Sequence, residues 1–221
     1  MSKEQWTAVD QYIVDRLIPA DPALEAALEA SAAAELPDIQ VTANQGKLLW
    51  LLAATLGAKS ILEIGSLGAY STIWMARALP RDGRLVTLEA DPKHFAVASA
   101  NIAQAGLSNI VEIRLGAALE SLPQLAAENR GPFDLTFIDA DKEHTADYFE
   151  WAVRLSRPGS LIIVDNVIRK GAIVEANSID PSVRGVQKFF NLASRDVRVS
   201  VTAVQTVGAK GYDGMAIARV V

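Results

Sequence analysis

The 221-residue sequence predicts an α/β fold: an open, mostly parallel sheet with helices on both faces, finished by an antiparallel C-terminal hairpin. Three observations predict it. Short apolar runs at Ser60–Ile64, Arg84–Glu89, Ile110–Leu115, Phe133–Asp139 and Ser160–Asp165 alternate with helical segments, the pattern of strands buried on both faces. Everything before Lys59 reads as helix. At the other end, Val197–Val204 and Met215–Val221 are separated by a Gly-containing stretch too short for a crossover helix, so they must pair antiparallel.

Glu4–Ile18 carries apolar residues at helical spacing, Pro22–Ala34 is rich in Ala, Leu and Glu, and Ala43–Leu56 is strongly apolar, with Pro37 and Asp38 as punctuation. The expected organisation is a single domain, with a helical cap at 1–58 and a core at 59–221, because this length and a 50% hydrophobic content close one sizeable core. There is no internal repeat, and the Ala-rich patch Ala30–Ala34 reads as helix. Val167–Arg184 reads as a long irregular stretch at the rim, the usual place for a lid.

Composition narrows the chemistry. Without cysteine there is no disulfide, thiolate metal site or Cys nucleophile, so any metal sits on oxygen or imidazole. A net charge of −5 argues against a broad nucleic-acid footprint. Met1–Asp10 lacks the basic and apolar regions of a secretory signal, and no apolar run reaches the ~20 residues needed to span a bilayer. The expectation is a cytoplasmic protein without a membrane partner.

In Ile61-Leu62-Glu63-Ile64-Gly65-Ser66-Leu67-Gly68-Ala69-Tyr70-Ser71-Thr72 a buried strand enters a Gly-bearing turn and then a helix, which lets backbone approach a ligand at the C-terminal rim of the sheet. The spacing is not the G-x-G-x-x-G that admits a pyrophosphate. S-adenosylmethionine has no pyrophosphate to admit. Glu89, closing the second strand, is placed to accept hydrogen bonds from both ribose hydroxyls of an adenosine-containing ligand, and Glu63 to face its ammonium group. The competing reading is a tight turn and a solvated strand end.

The most specific signal lies at two further strand ends, Phe137-Ile138-Asp139-Ala140-Asp141-Lys142 and Ile163-Val164-Asp165-Asn166. If these strands are neighbours, Asp139, Asp165 and Asn166 converge on one ion at a shared rim. An all-oxygen set suits Mg²⁺, with Mn²⁺ or Ca²⁺ as substitutes, and the positions left open suit a chelating pair of hydroxyls. Asp141 stands behind that set. Ordinary helix and turn capping is the competing reading. In the chemistry expected here the ion binds both oxygens of a vicinal diol, and Lys142, three residues past Asp139, takes the proton. Asp139 and Lys142 are thus the candidate catalytic pair. His94 is assigned to the surface, His144 to a solvated helix start, and Tyr70, Trp74 and Trp151 to packing.

With these residues in view the chain resembles the cation-dependent class I O-methyltransferases typified by the caffeoyl-CoA and catechol O-methyltransferases, over almost its whole length. The likeness rests on Thr42-Ala43-Asn44-Gln45-Gly46, Glu63-Ile64-Gly65, Glu89-Ala90-Asp91, Gly116-Ala117-Ala118, Asp139-Ala140-Asp141-Lys142, Asp165-Asn166 and Gly211-Tyr212-Asp213-Gly214. It implies a Rossmann-like methyltransferase fold with a seven-stranded sheet, a homodimer, and a small phenolic or catechol-like substrate. It further implies adenosylmethionine contacted by Val41, Glu63, Gly65, Ser66, Ser71, Glu89, Ala118 and Asp139, and metal on Asp139, Asp165 and Asn166. One position departs: Ala69 stands where the family usually carries Gly, so a methyl group enters the turn. Substrate choice is expected from the N-terminal helices and Val167–Arg184, with Arg169, Lys170 and Arg184 as candidates to meet an anionic tail. The rival readings are a tRNA hydroxyl methyltransferase with the same site, an NAD-linked oxidoreductase, and a non-catalytic adenosylmethionine-binding module.

Overall fold

A computed structural model describes residues 2–221. Three helices come first, α1 (Lys3–Leu17), α2 (Pro22–Ala33) and α3 (Ala43–Leu56). Strands and helices then alternate as β1 (Ser60–Ile64), α4 (Tyr70–Ala76), β2 (Arg84–Glu89), α5 (Pro92–Gln104), β3 (Val111–Leu115), α6 (Ala118–Ala127), β4 (Phe133–Ile138), α7 (Thr145–Arg154) and β5 (Ser156–Asp165). A 3₁₀ segment (Arg169–Val174), α8 (Pro181–Ala193), β6 (Val199–Gly208) and β7 (Gly211–Val220) complete the chain.

The helix starts follow local chemistry. Asp21-Pro22, Asp91-Pro92 and Asp180-Pro181 each place an aspartate that accepts backbone N–H bonds of the first turn, followed by a proline whose missing N–H is not needed there. Thr42 caps α3 in the same way through the Gln45 amide, and Gly57 ends that helix at φ 63°.

The seven strands form one sheet in the order β3-β2-β1-β4-β5-β7-β6. β1 to β5 run parallel, while β7 pairs antiparallel with both β5 and β6. This is the Rossmann-like arrangement expected. Every residue of β1 and β4 is buried, because α2 to α5 cover one face around Leu49, Ile61 and Ile73, and α6 to α8 cover the other around Phe133, Phe149 and Phe189. The rings of Phe149 and Phe189 meet edge to face at 5.0 Å. No helix among the described residues is long and apolar enough to cross a membrane.

Three expectations change. β5 begins at Ser156 rather than Ser160, since Ser156 still pairs with Phe133 ahead of a register irregularity. The C-terminal strands are longer than their apolar runs and leave a two-residue turn between Gly208 and Gly211, because the backbone groups of Gly211–Gly214 pair with Gln205–Gly208 of β6 whatever side chains they carry. Val167–Arg184 is not irregular throughout: it holds the 3₁₀ segment, and α8 starts at Pro181.

For the site, the decisive feature is register. Ile64 pairs with Leu88 and with Ile138, and Ile138 with Val164, so the residues following four parallel strands emerge together at one rim.

Candidate active site

That rim opens into a cleft of about 770 Å³ whose walls include Val41, Gly65, Ser66, Ser71, Glu89, Ala118, Asp139 and Asn166. Gly65, at φ 98°, is required twice over: its backbone is in the region that favours glycine, and a Cβ there would collide with the Asp139 carbonyl oxygen. The tips of β1 and β4 therefore approach backbone to backbone. Ala69 adopts φ 65°, so alanine takes up the left-handed conformation that glycine would take more readily. Asn101 steadies the same turn by donating to the Gly68 carbonyl at 2.9 Å.

Glu89 lines the cleft and organises the turn. Its Oε2 accepts the Ser66 amide at 3.2 Å and the Leu67 amide at 2.8 Å, and its Oε1 accepts the Asp91 amide at 2.9 Å. His94, expected at the surface, is instead in the cleft wall with Nδ1 3.6 Å from Glu89 Oε1. Its helix begins at Pro92, immediately after β2, which turns the first helical side chains back over the strand end.

Glu63 lies deeper than its place near the strand end suggests. It has no exposed surface and does not form cleft wall. Its Oε1 accepts from the Ser71 hydroxyl at 2.6 Å, and its Oε2 accepts from Thr87 at 2.7 Å and from Thr72. The physical reason is the pleat: Glu63 lies one residue inside the strand end and points under α4, so it reaches the cleft only through Ser71. Burial pushes its carboxyl up to about 7, a rise the three hydroxyls oppose and the nearby Asp139 charge reinforces.

On the other side of the cleft floor, Lys142 Nζ donates to Asp139 Oδ1 at 2.7 Å with only a tenth of the lysine side chain exposed. Asp165 is buried, and burial together with the Asp139 charge pushes its carboxyl well above the usual carboxylate range. Its two oxygens are held from opposite sides, Oδ1 by the Asn166 amide at 2.8 Å and Oδ2 by Gln45 Nε2 at 2.6 Å. Asn166 turns at φ 57°. It lines the main cleft and also a second cavity of about 290 Å³ that contains Asp165 and Gln45.

The donor chemistry fits a hard cation. The Asp139 charge raises the energy of the buried Asp165 carboxylate at the adjacent strand end, and the amide side chain of Asn166 follows directly. Among the described residues there is no trio of His, Cys, Asp and Glu arranged for a metal, in keeping with a set whose third donor is an amide.

Other expected residues take different places. Asp141 accepts the His144 amide at 3.2 Å, His144 Nδ1 at 2.6 Å and the Tyr148 hydroxyl. It shapes the start of α7, which the half-exposed His144 immediately precedes. Trp74 packs, buried where Gly46 of α3 leaves it room, while Tyr70 lines the cleft. Arg184 is exposed and faces neither cavity.

Gln45 and Asp213 hold the residues around the two strand tips in place. Gln45 grips Asp165 from α3. Asp213 Oδ1 accepts the amides of Ile168 at 2.9 Å, Arg169 at 3.0 Å and Gly214 at 3.0 Å, fixing the chain that follows Asn166. Only the recurrence of these residues within motifs hinted at them, because the partners are 120 and 45 positions away.

Comparison with known proteins places the chain among relatives of one kind. The family model described as O-methyltransferase matches residues 18–221. A catechol O-methyltransferase of Niastella koreensis is 54% identical over 220 residues, covering 100% of both chains. A catechol O-methyltransferase of Mycobacterium tuberculosis is 50% identical over 96% of this chain and 94% of its own. The crystal structure of the O-methyltransferase from Bacillus cereus in complex with SAH superposes with a TM-score of 0.98 at 54% identity, covering 100% of both chains.

Proposed function

This chain belongs to the O-methyltransferase family and is an adenosylmethionine-dependent enzyme, and we propose that it methylates one hydroxyl of a vicinal dihydroxy aromatic small molecule with the help of a divalent cation. Membership removes the nicotinamide-dependent alternative. The observation that carries the proposal is the meeting of Asp139 with the Asp165-Asn166 pair at adjacent strand tips, where Asn166 belongs to both cavities. The catechol O-methyltransferase names of the two relatives favour the same substrate class.

Asp139, Asp165 and Asn166 would hold the ion. Bound there, Mg²⁺, or Mn²⁺ or Ca²⁺ in its place, would supply Lewis-acid polarisation of the paired acceptor oxygens. The remaining roles belong to the chain. Gln45 and the Asn166 amide orient Asp165. Glu89 would accept the ribose hydroxyls while keeping the Ser66 and Leu67 amides in place. Glu63 would act on the methionine end through the Ser71 hydroxyl, with Val41, Gly65 and Ala118 as the close walls. Lys142 Nζ, next to Asp139, would in its uncharged amine form take the acceptor proton as the oxygen attacks the sulfonium methyl and the sulfur leaves as the neutral thioether of adenosylhomocysteine. Positioning then supplies most of the rate enhancement.

The same reading takes 1–58 as a cap over a catalytic core at 59–221, within a cytoplasmic homodimer that binds neither nucleic acid nor membrane. The test is a methyl-transfer screen over catechols, caffeate esters, flavonoids and bulk RNA, with and without EDTA. Turnover of vicinal diphenols that EDTA abolishes is the expected result. Turnover unaffected by EDTA would sink the role of the cation, and activity on RNA alone would sink the substrate class.

A further inference from the structure

The second cavity is bordered by apolar side chains, Leu48, Val207 and Met215, and by four charged groups besides the proposed cation ligands, Asp10, Lys170, Lys210 and Asp213. Almost every charge there is already matched. Asp10 accepts the Ala209 amide at 2.7 Å and Asn44 Nδ2 at 3.2 Å, Asp213 accepts three backbone amides, and Lys210 is paired with Asp38 at 2.9 Å. Lys170 is the exception: it makes no ion pair among the described residues. Its neighbour Arg169 lines the main cleft, is likewise without an ion pair among the described residues, and has a buried Nε–H with no hydrogen-bond partner. A buried donor left unmatched in a native fold calls for an explanation.

These two cations flank the place where the cavities meet, because Asn166, three residues before Arg169, belongs to both walls. They are also held there. Arg169 at φ 51° and Lys170 at φ 56° occupy left-handed backbone that side-chain-bearing residues rarely adopt, and the Asp213 carboxylate fixes the preceding amides. A loop serving only as a connector has no need of such a conformation at two consecutive charged residues.

We infer that Arg169 and Lys170 are specificity-determining residues that bind the carboxylate of a small aromatic acid whose vicinal hydroxyls face Asp165 and Asn166. This rests on the function proposed above. The cavity of about 290 Å³ accommodates a single ring with a short acidic tail. Guanidinium and ammonium donors make charge-assisted bonds to such a tail while the ring lies on the apolar wall.

The experiment compares catechol with 3,4-dihydroxybenzoate and caffeate as acceptors and reads the ratio of kcat/KM, acid to neutral, for the wild type, Arg169→Met, Lys170→Met, Lys170→Glu and Lys170→Arg. Both acceptors are measured on one preparation, so a partly unfolded variant leaves the ratio intact. The wild type should prefer the acids, and each neutral substitution should lower the ratio roughly tenfold, the size of one hydrogen bond to a charged group. Lys170→Glu should invert the preference and Lys170→Arg should keep it. Added salt should shrink the wild-type ratio as the partly exposed charges are screened. Methylation of acid and neutral acceptors without preference, or a ratio that Lys170→Glu and Arg169→Met leave unmoved, overturns this inference and leaves the proposed function standing. Methylation of none of the three diphenols overturns both.

Discussion

Replacing Gln45 with Leu tests whether α3 tunes the proposed cation site. Gln45 reaches across 120 positions of sequence to donate to Asp165 Oδ2 at 2.6 Å, and Asp165 is only 5% exposed, so water does not readily replace the lost donor. The buried carboxylate would keep the Asn166 amide on one oxygen and nothing on the other. Its ionised form, the one a cation needs, becomes harder to maintain, and its orientation loosens. Losing a hydrogen-bonded partner behind a metal ligand typically lowers metal affinity ~10–100-fold, or ~1.4–2.7 kcal/mol. Leucine is close to glutamine in volume, so α3 should still pack. The assay is Mn²⁺ titration of the purified protein by calorimetry, without acceptor, alongside the Mg²⁺ dependence of methyl transfer. The dissociation constant should rise by that factor, and saturating Mg²⁺ should restore a large part of the turnover. Unchanged Mn²⁺ affinity would refute the reasoning, whatever happens to activity.

Three other outcomes are expected. Gly65→Ala forces a side chain into left-handed backbone and against the Asp139 carbonyl; at ~3 kcal/mol this lowers Tm by ~10 °C, and a melt within a degree or two of wild type would remove the close approach from the account. Glu63 keeps its proton up to about 7 when folded but loses it near 4.5 when unfolded, so the folded state binds more protons in that window. The contribution of Glu63 to stability is therefore greatest below 4.5 and is lost as pH rises through 7, by about 3 kcal/mol over the window. Urea unfolding of Glu63→Gln should show a shallower slope between those two values, the remainder coming from the buried Asp165, and an identical slope in wild type and variant argues against the assignment. Lys142→Ala should reduce kcat by ~10²-fold or more with little change in adenosylmethionine affinity measured by equilibrium binding, and undiminished turnover takes Lys142 out of the mechanism.

Much of the architecture was legible because it is encoded locally. The boundaries of β1 and β2 coincide with their apolar runs, and the Asp-Pro pairs mark where three helices begin. Gly65, Glu89, Asp139 and Asp165-Asn166 were legible for a related reason. In a parallel sheet the residue after each buried strand must emerge at the same rim, so a polar residue that ends an apolar run declares its place. Elements whose extent is set by a partner were less legible. The true ends of β5, β6 and β7 depend on cross-strand pairing that polar and glycine residues share as readily as apolar ones.

By itself, then, the sequence determined the layered fold, the rim, and the residue types gathered there, since periodicity and strand-end chemistry act over a few residues. The tertiary structure alone decided which oxygens and nitrogens meet: Gln45 on Asp165, Asp213 under Ile168 and Arg169, Glu63 withdrawn beneath Ser71, and His94 turned in beside Glu89. Hydrogen bonds act over about 3 Å between groups that the chain separates by anything from a few residues to more than a hundred. Only the packing of helices against the sheet brings such groups within reach.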